Sequence, residues 1–236
     1  MKKKILILSL IALLVLALGF GIWMLVAHLS DKKEMEAQQQ LIREYYENKY
    51  VAYQAENERY ADYEVDVAFL GDSLTDGYDL AHYYPQYVTA NRGIGGETSY
   101  GLKDRMQLSA YDLKPKVAVL LIGTNNLDSM LEDYEDILVG LRENLPNTKI
   151  VVVSLSAFGG DFAQRNPLAA YNNVIIEKLA QKYGCAFVDI YSPLMDMESG
   201  ELRAEYTTDG VHFTAQGYEA ITAALTPAID AALRGE

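Results

Sequence analysis

The sequence is short of the residues that would signal several common chemistries. Cys185 is its only cysteine, so no intrachain disulfide can form. It has no His-Glu-x-x-His, no paired-cysteine metal motif, no Gly-x-Gly-x-x-Gly and no lysine-bearing phosphate loop, so neither a metal nor a cofactor is expected. Histidine occurs three times, as His28, His82 and His212, which leaves few candidates for a base near neutral pH. Acidic residues are missing from the first 30 positions. Residues 31–236 carry all 33 Asp and Glu against 17 of the 20 Lys and Arg, a net charge of −16 that excludes nucleic acid and anionic membrane surfaces as electrostatic partners.

Charge is also lacking from residues 5–29, apart from a protonated His28. A helix of that length spans about 37 Å against a hydrocarbon core of roughly 30 Å, and its apolar residues leave no polar face. Lys2, Lys3 and Lys4 precede the stretch, which predicts a cytoplasmic N-terminus even though Lys32 and Lys33 follow it. An uncleaved single-pass transmembrane anchor in the cell membrane is expected, with the rest of the chain extracytoplasmic. A signal peptide cleaved near Ala17-Leu18-Gly19 is the alternative and would give a secreted chain, but the apolar run continues through Val26.

The expected organisation is a basic tip and anchor over 1–30, a juxtamembrane helical stalk over 31–62 and a folded domain over 63–236. The stalk contains no Pro or Gly, and Tyr45, Tyr46, Tyr50, Tyr53 and Tyr60 fall at mixed helical spacings suited to packing one face on the domain. Beyond it, residues 65–70, 117–122, 150–155 and 186–190 read as buried strands, while the strand before Asn91 is less distinct. Residues 98–110, 130–144 and 168–183 read as helices, and a final helix starts after Thr214 and bends at Pro227. Such alternation predicts an α/β fold, a parallel sheet covered on both faces with its site at the carboxyl ends of the strands. Cys185, within Gly184-Cys185-Ala186-Phe187-Val188, fits a buried strand position rather than a nucleophile.

Three places carry chemistry. Gly71-Asp72-Ser73-Leu74 puts a serine on a tight turn where an apolar strand ends, holding a nucleophile clear of its own backbone; a plain helix cap is the alternative. Asp209-Gly210-Val211-His212 supplies a base with a carboxylate three residues away to orient it. His28 lies in or beside the apolar segment and His82 on an exposed helix face, which leaves His212 by elimination as well as by motif. Gly123-Thr124-Asn125-Asn126 ends another strand with an amide donor, Asn125, which could instead cap the following helix.

With Asn91-Arg92-Gly93-Ile94-Gly95-Gly96-Glu97-Thr98, these blocks stand in the order of the SGNH (GDSL-type) esterase and lipase family, which the chain resembles from about residue 65 to 225. Asn126 and Glu97 depart from the family pattern, where Asp is frequent at both places. The resemblance implies a three-layer α/β/α fold with a flavodoxin-like, five-stranded parallel sheet. It implies a Ser73, His212, Asp209 triad and an oxyanion hole made of the Ser73 and Gly96 N–H groups and the Asn125 amide. The expected activity is metal-free hydrolysis of a carboxylic ester, with an O-acetylated carbohydrate as preferred substrate and a lysophospholipid-type ester as the alternative. An acyltransferase and a non-catalytic binding domain on the same fold remain rival readings.

Overall fold

The computed structural model describes the backbone of residues 2–236 and the side chains of Lys4, Leu18, residues 20–21 and residues 23–236. It divides into two compact units, residues 1–49 and 50–236. Helix α1 runs Lys2–Asn57. Among the described residues no helix is long and apolar enough to cross a membrane, and most side chains of the expected span, residues 5–29, lie outside them.

The second unit is built on five parallel strands, β1 (Val67–Gly71), β2 (Thr89–Gly93), β3 (Val117–Leu121), β4 (Lys149–Val153) and β5 (Ala186–Val188), in the order β2-β1-β3-β4-β5. This is the expected flavodoxin-like order, and its reversal beside β1 opens a crevice at the carboxyl ends of β1 and β3. The helices of this unit are α2 (Ser73–Asp76), α3 (Leu80–Tyr83), α4 (Ser99–Asp104), α5 (Met130–Asn144), α6 (Asn166–Lys182), α7 (Tyr191–Leu194) and α8 (Ala215–Arg234).

Central strands read as unbroken apolar runs because both of their faces are covered. In β3, Val117, Val119 and Leu121 join one buried cluster with Ile221, Leu225 and Ile229 of α8. Ala118 and Leu120 point the other way and pack with Tyr134, Ile137 and Leu141 of α5 and Ile176 of α6. Each buried Val, Leu or Ile among them contributes about 1.5–3 kcal/mol on leaving water, so the two faces clamp the sheet as a rigid platform.

One helix differs from expectation. The helix expected over 98–110 stops at Asp104, and Gln107–Tyr111 continues as a wider π-type turn. Helix α8, capped by Thr214 Oγ1 on the Gly217 N–H at 3.1 Å, runs on through Pro227 to Arg234. The strand indistinct in the sequence is β2, an edge strand whose Asn91 and Arg92 are committed to holding turns and helices.

Candidate active site

Ser73 opens α2 directly after β1, at the carboxyl edge of the sheet. Asp72 caps this short helix, its Oδ1 accepting the Leu74 N–H at 3.0 Å. The turn is held from outside by Asn91, whose Nδ2 donates to the Thr75 carbonyl at 2.7 Å while its Oδ1 accepts the Gly93 N–H at 2.9 Å. The Ser73 hydroxyl therefore projects from a fixed backbone.

His212 arrives from a chain segment 139 residues away, and its Nε2 lies 3.0 Å from Ser73 Oγ. Its Nδ1 lies 2.7 Å from Asp209 Oδ2. The other Asp209 oxygen accepts the N–H groups of Val211 at 2.9 Å and His212 at 2.8 Å. Partial burial pushes the Asp209 carboxyl up, but the His212 ring and those two N–H groups outweigh it and hold the group at about 2. The carboxylate is thus charged throughout the neutral range and can hold Nδ1 as the N–H tautomer, leaving Nε2 to accept the serine proton.

The sharp turn between Asp209 and His212 explains the intervening glycine. Gly210 has φ +91°, its carbonyl accepts the Gly159 N–H at 2.9 Å, and a Cβ there would run into the Gly159 carbonyl.

Gly96 and Asn125 belong to neighbouring loops. Gly96 has φ +76° with open space around the position a Cβ would take. Asn125 Nδ2 donates to the carbonyl of the adjacent Glu97 at 2.8 Å, which ties the two loops together. That nitrogen carries a second hydrogen. Asn125 does not cap α5, whose N-cap is Ser129. Among the described residues, the backbone N–H groups of Ser73 and Gly96 have no acceptor in the chain.

The two departures from the family pattern have structural partners. Asn126 Oδ1 accepts the Ser99 N–H at 3.2 Å, and its Nδ2 donates to Ser99 Oγ at 2.9 Å and Ser129 Oγ at 3.3 Å, joining the starts of α4 and α5. Glu97 is buried and pairs with Arg105 Nε at 2.9 Å. Arg105, also buried, donates further to the carbonyls of Arg92 and Gly71, each at 3.0 Å, and to Ser109 Oγ at 2.8 Å. One guanidinium thereby links the ends of β1 and β2 to the loop carrying Gly96. Sequence reasoning gives no sign of this role, since an arginine eight residues after Glu97 belongs to no motif.

Asp72 is fully buried, with Thr124 beside its carboxyl. Burial raises its carboxyl to about 6, against the pull of the Leu74 N–H, of Thr124 and of the charge at His212. The other sequence candidates lie elsewhere. His82 is exposed on α3 with its ring edge-on to Tyr83 at 4.7 Å, and His28 is exposed in α1. Cys185 precedes β5, half-buried, with its thiol pushed up by burial, a poor setting for a thiolate.

A serine, imidazole and carboxylate in line at the carboxyl edge of a parallel sheet define a hydrolase of the α/β class. Residues 69–220 match the GDSL-like lipase/acylhydrolase family, and the chain belongs to that family of ester-hydrolysing enzymes. It is 29% identical to the rat (Rattus norvegicus) platelet-activating factor acetylhydrolase IB subunit alpha2 over 173 residues, which cover 68% of this chain and 74% of the relative. Among solved structures it is similar to a GDSL-like lipase from Bacteroides thetaiotaomicron, with 27% identity, a TM-score of 0.68 and coverage of 78% and 98% of the two chains. It shares its fold with a variant acetyl xylan esterase from Geobacillus stearothermophilus, at 21% identity, a TM-score of 0.58 and coverage of 71% and 95%.

Proposed function

We propose that the chain is a metal-free serine esterase that releases acetyl groups from an O-acetylated carbohydrate through an acyl-enzyme. The observation that carries this reading is the Ser73, His212, Asp209 relay, with contacts of 3.0 and 2.7 Å. In the first half-reaction His212 Nε2 takes the proton of Ser73 Oγ as the oxygen attacks the ester carbonyl. Asp209 stabilises the resulting imidazolium, and the Ser73 and Gly96 N–H groups with Asn125 Nδ2 receive the oxyanion. The tetrahedral species collapses, His212 returns its proton to the leaving sugar oxygen, and an acetyl-serine remains. Water then attacks this ester with His212 again as base, releasing acetate and regenerating Ser73.

Acetyl specificity is supported by the names of two relatives. The rat relative is an acetylhydrolase by name, and the Geobacillus enzyme is named for an acetylated glycan. Residues 5–29 support an uncleaved membrane anchor, with the helical segment after it as a stalk and the hydrolase domain on the extracytoplasmic side.

A series of p-nitrophenyl esters from acetyl to octanoyl tests the acyl preference. kcat/KM is expected to fall beyond acetyl, because a tight pocket rejects extra methylenes. A rise along the series, driven by up to about 0.8 kcal/mol per buried CH₂, would replace the glycan reading with a lysophospholipase-type one.

A further inference from the structure

A cleft of about 120 Å³ opens beside Asn125, bounded by Asn126, Leu127, Asp128, Arg165 and Leu168. Several of these groups have unspent hydrogen-bonding capacity. Asn126 is occupied by Ser99 and Ser129, and Asn125 uses its Nδ2 on the Glu97 carbonyl but leaves its Oδ1 open. Asp128 and Arg165 are exposed, and among the described residues neither makes a hydrogen bond or an ion pair.

Arg165 is nevertheless held in place. Its guanidinium carbon lies 5.2 Å from the ring centre of Phe162 and 5.8 Å from that of Phe158. Phe158 is pinned in turn by Asn166, which accepts its N–H at 2.7 Å and donates to its carbonyl at 2.9 Å. Stacking uses the face of the guanidinium and leaves its N–H edge available. The cleft therefore offers a positioned set of donors at Arg165, acceptors at Asp128 and Asn125, and an apolar wall at Leu127 and Leu168.

The ligand chemistry follows from that mixture. An acyl chain would strip water from Arg165 and Asp128 without replacing their partners. A phosphate or carboxylate would satisfy Arg165 but face Asp128. A hydroxyl both donates and accepts, so adjacent hydroxyls on one ring satisfy both residues at once. We propose that this cleft is the subsite for the alcohol half of the substrate, and that it takes a sugar residue whose hydroxyls donate to Asp128 and accept from Arg165. The proposal rests on the glycan-deacetylase reading and adds the residues that select the sugar.

The test compares the parent chain with Arg165→Gln and Asp128→Asn on two substrates, an O-acetylated xylo-oligosaccharide and p-nitrophenyl acetate. The quantity read is the ratio of kcat/KM on the glycan to that on the phenyl ester. Because both come from one sample, the ratio is independent of the folded fraction. Each variant is expected to lower it by about tenfold, chiefly through KM on the glycan. Ratios within twofold of the parent in both variants overturn the subsite and leave the glycan reading standing. A parent that cleaves p-nitrophenyl acetate but frees no acetate from the sugar overturns the glycan reading and the subsite with it. A ratio that falls with Arg165→Gln yet rises with Asp128→Asn assigns the cleft to an anionic group and likewise overturns the proposal.

Discussion

A hydrogen bond from the Asn125 amide nitrogen to the Glu97 carbonyl sets its rotamer, and in the proposed mechanism the second hydrogen of that nitrogen meets the substrate oxyanion. Asn125→Ala is accordingly expected to lower kcat by about 10²–10³ with a smaller change in KM, since an oxyanion donor acts mainly in the transition state. An unchanged kcat accompanied only by a lower melting temperature would assign Asn125 to loop bracing alone. Asp72 gives a second prediction, in stability. Its carboxyl is raised from 3.8 unfolded to about 6 folded, so between these values the native state binds the extra proton and stability falls as pH rises. The parent should lose up to about 3 kcal/mol relative to Asp72→Asn between pH 4 and pH 7, measured by denaturant unfolding. Asp209, held at about 2, is present in both proteins, so its contribution cancels in the comparison. The meeting of Ser73, Asp209 and His212 was legible in the sequence because the chemistry they suggest restricts residue type and spacing. Arg105 was not, because its partners at Glu97, Arg92 and Gly71 meet only after three loops fold together.

The end of α1 is the element whose importance the sequence understates. Tyr53 is buried and its hydroxyl donates to the Gly93 carbonyl at 2.6 Å, two residues before the Gly95-Gly96 turn. The fully buried Arg92 side chain pairs with Glu56, donates to Asn57 Oδ1 at 2.8 Å and lies 4.7 Å from the centre of the Tyr53 ring. A chain starting at residue 63 loses all three partners of Arg92 and is expected to be about 3 kcal/mol or more less stable than one starting at residue 50. Equal unfolding midpoints for the two would show that these contacts add nothing to stability. Tyrosines at helical spacing suggested packing of this kind, but the sequence could not identify Arg92 as the residue they cover. The same arginine helps to explain why β2 was indistinct. A strand reading Thr-Ala-Asn-Arg-Gly has no apolar run, because Asn91 holds the Ser73 turn and Arg92 holds α1. Conversely, β1, β3 and β4 were legible because strands buried on both faces need continuous apolar sequence.

For the molecule as a whole, parallel strand order and the site support one another. The order β2-β1-β3-β4-β5 sets the ends of β1, β2 and β3 side by side, and these ends lead into Ser73, Gly96 and Asn125. The segment before α8 then delivers His212 and Asp209 to the same edge. This convergence could be expected from strand and helix alternation, whereas the cleft at Asp128 and Arg165 depends on the path of loops that follow no periodic rule. The central claim is that Ser73 is the nucleophile of this assembly, and the most direct measurement is intact mass followed by peptide mapping after treatment with a fluorophosphonate. The account predicts one adduct per chain, located on Ser73 and absent from Ser73→Ala. An adduct on a different residue, or none in a preparation that hydrolyses p-nitrophenyl acetate, would contradict it.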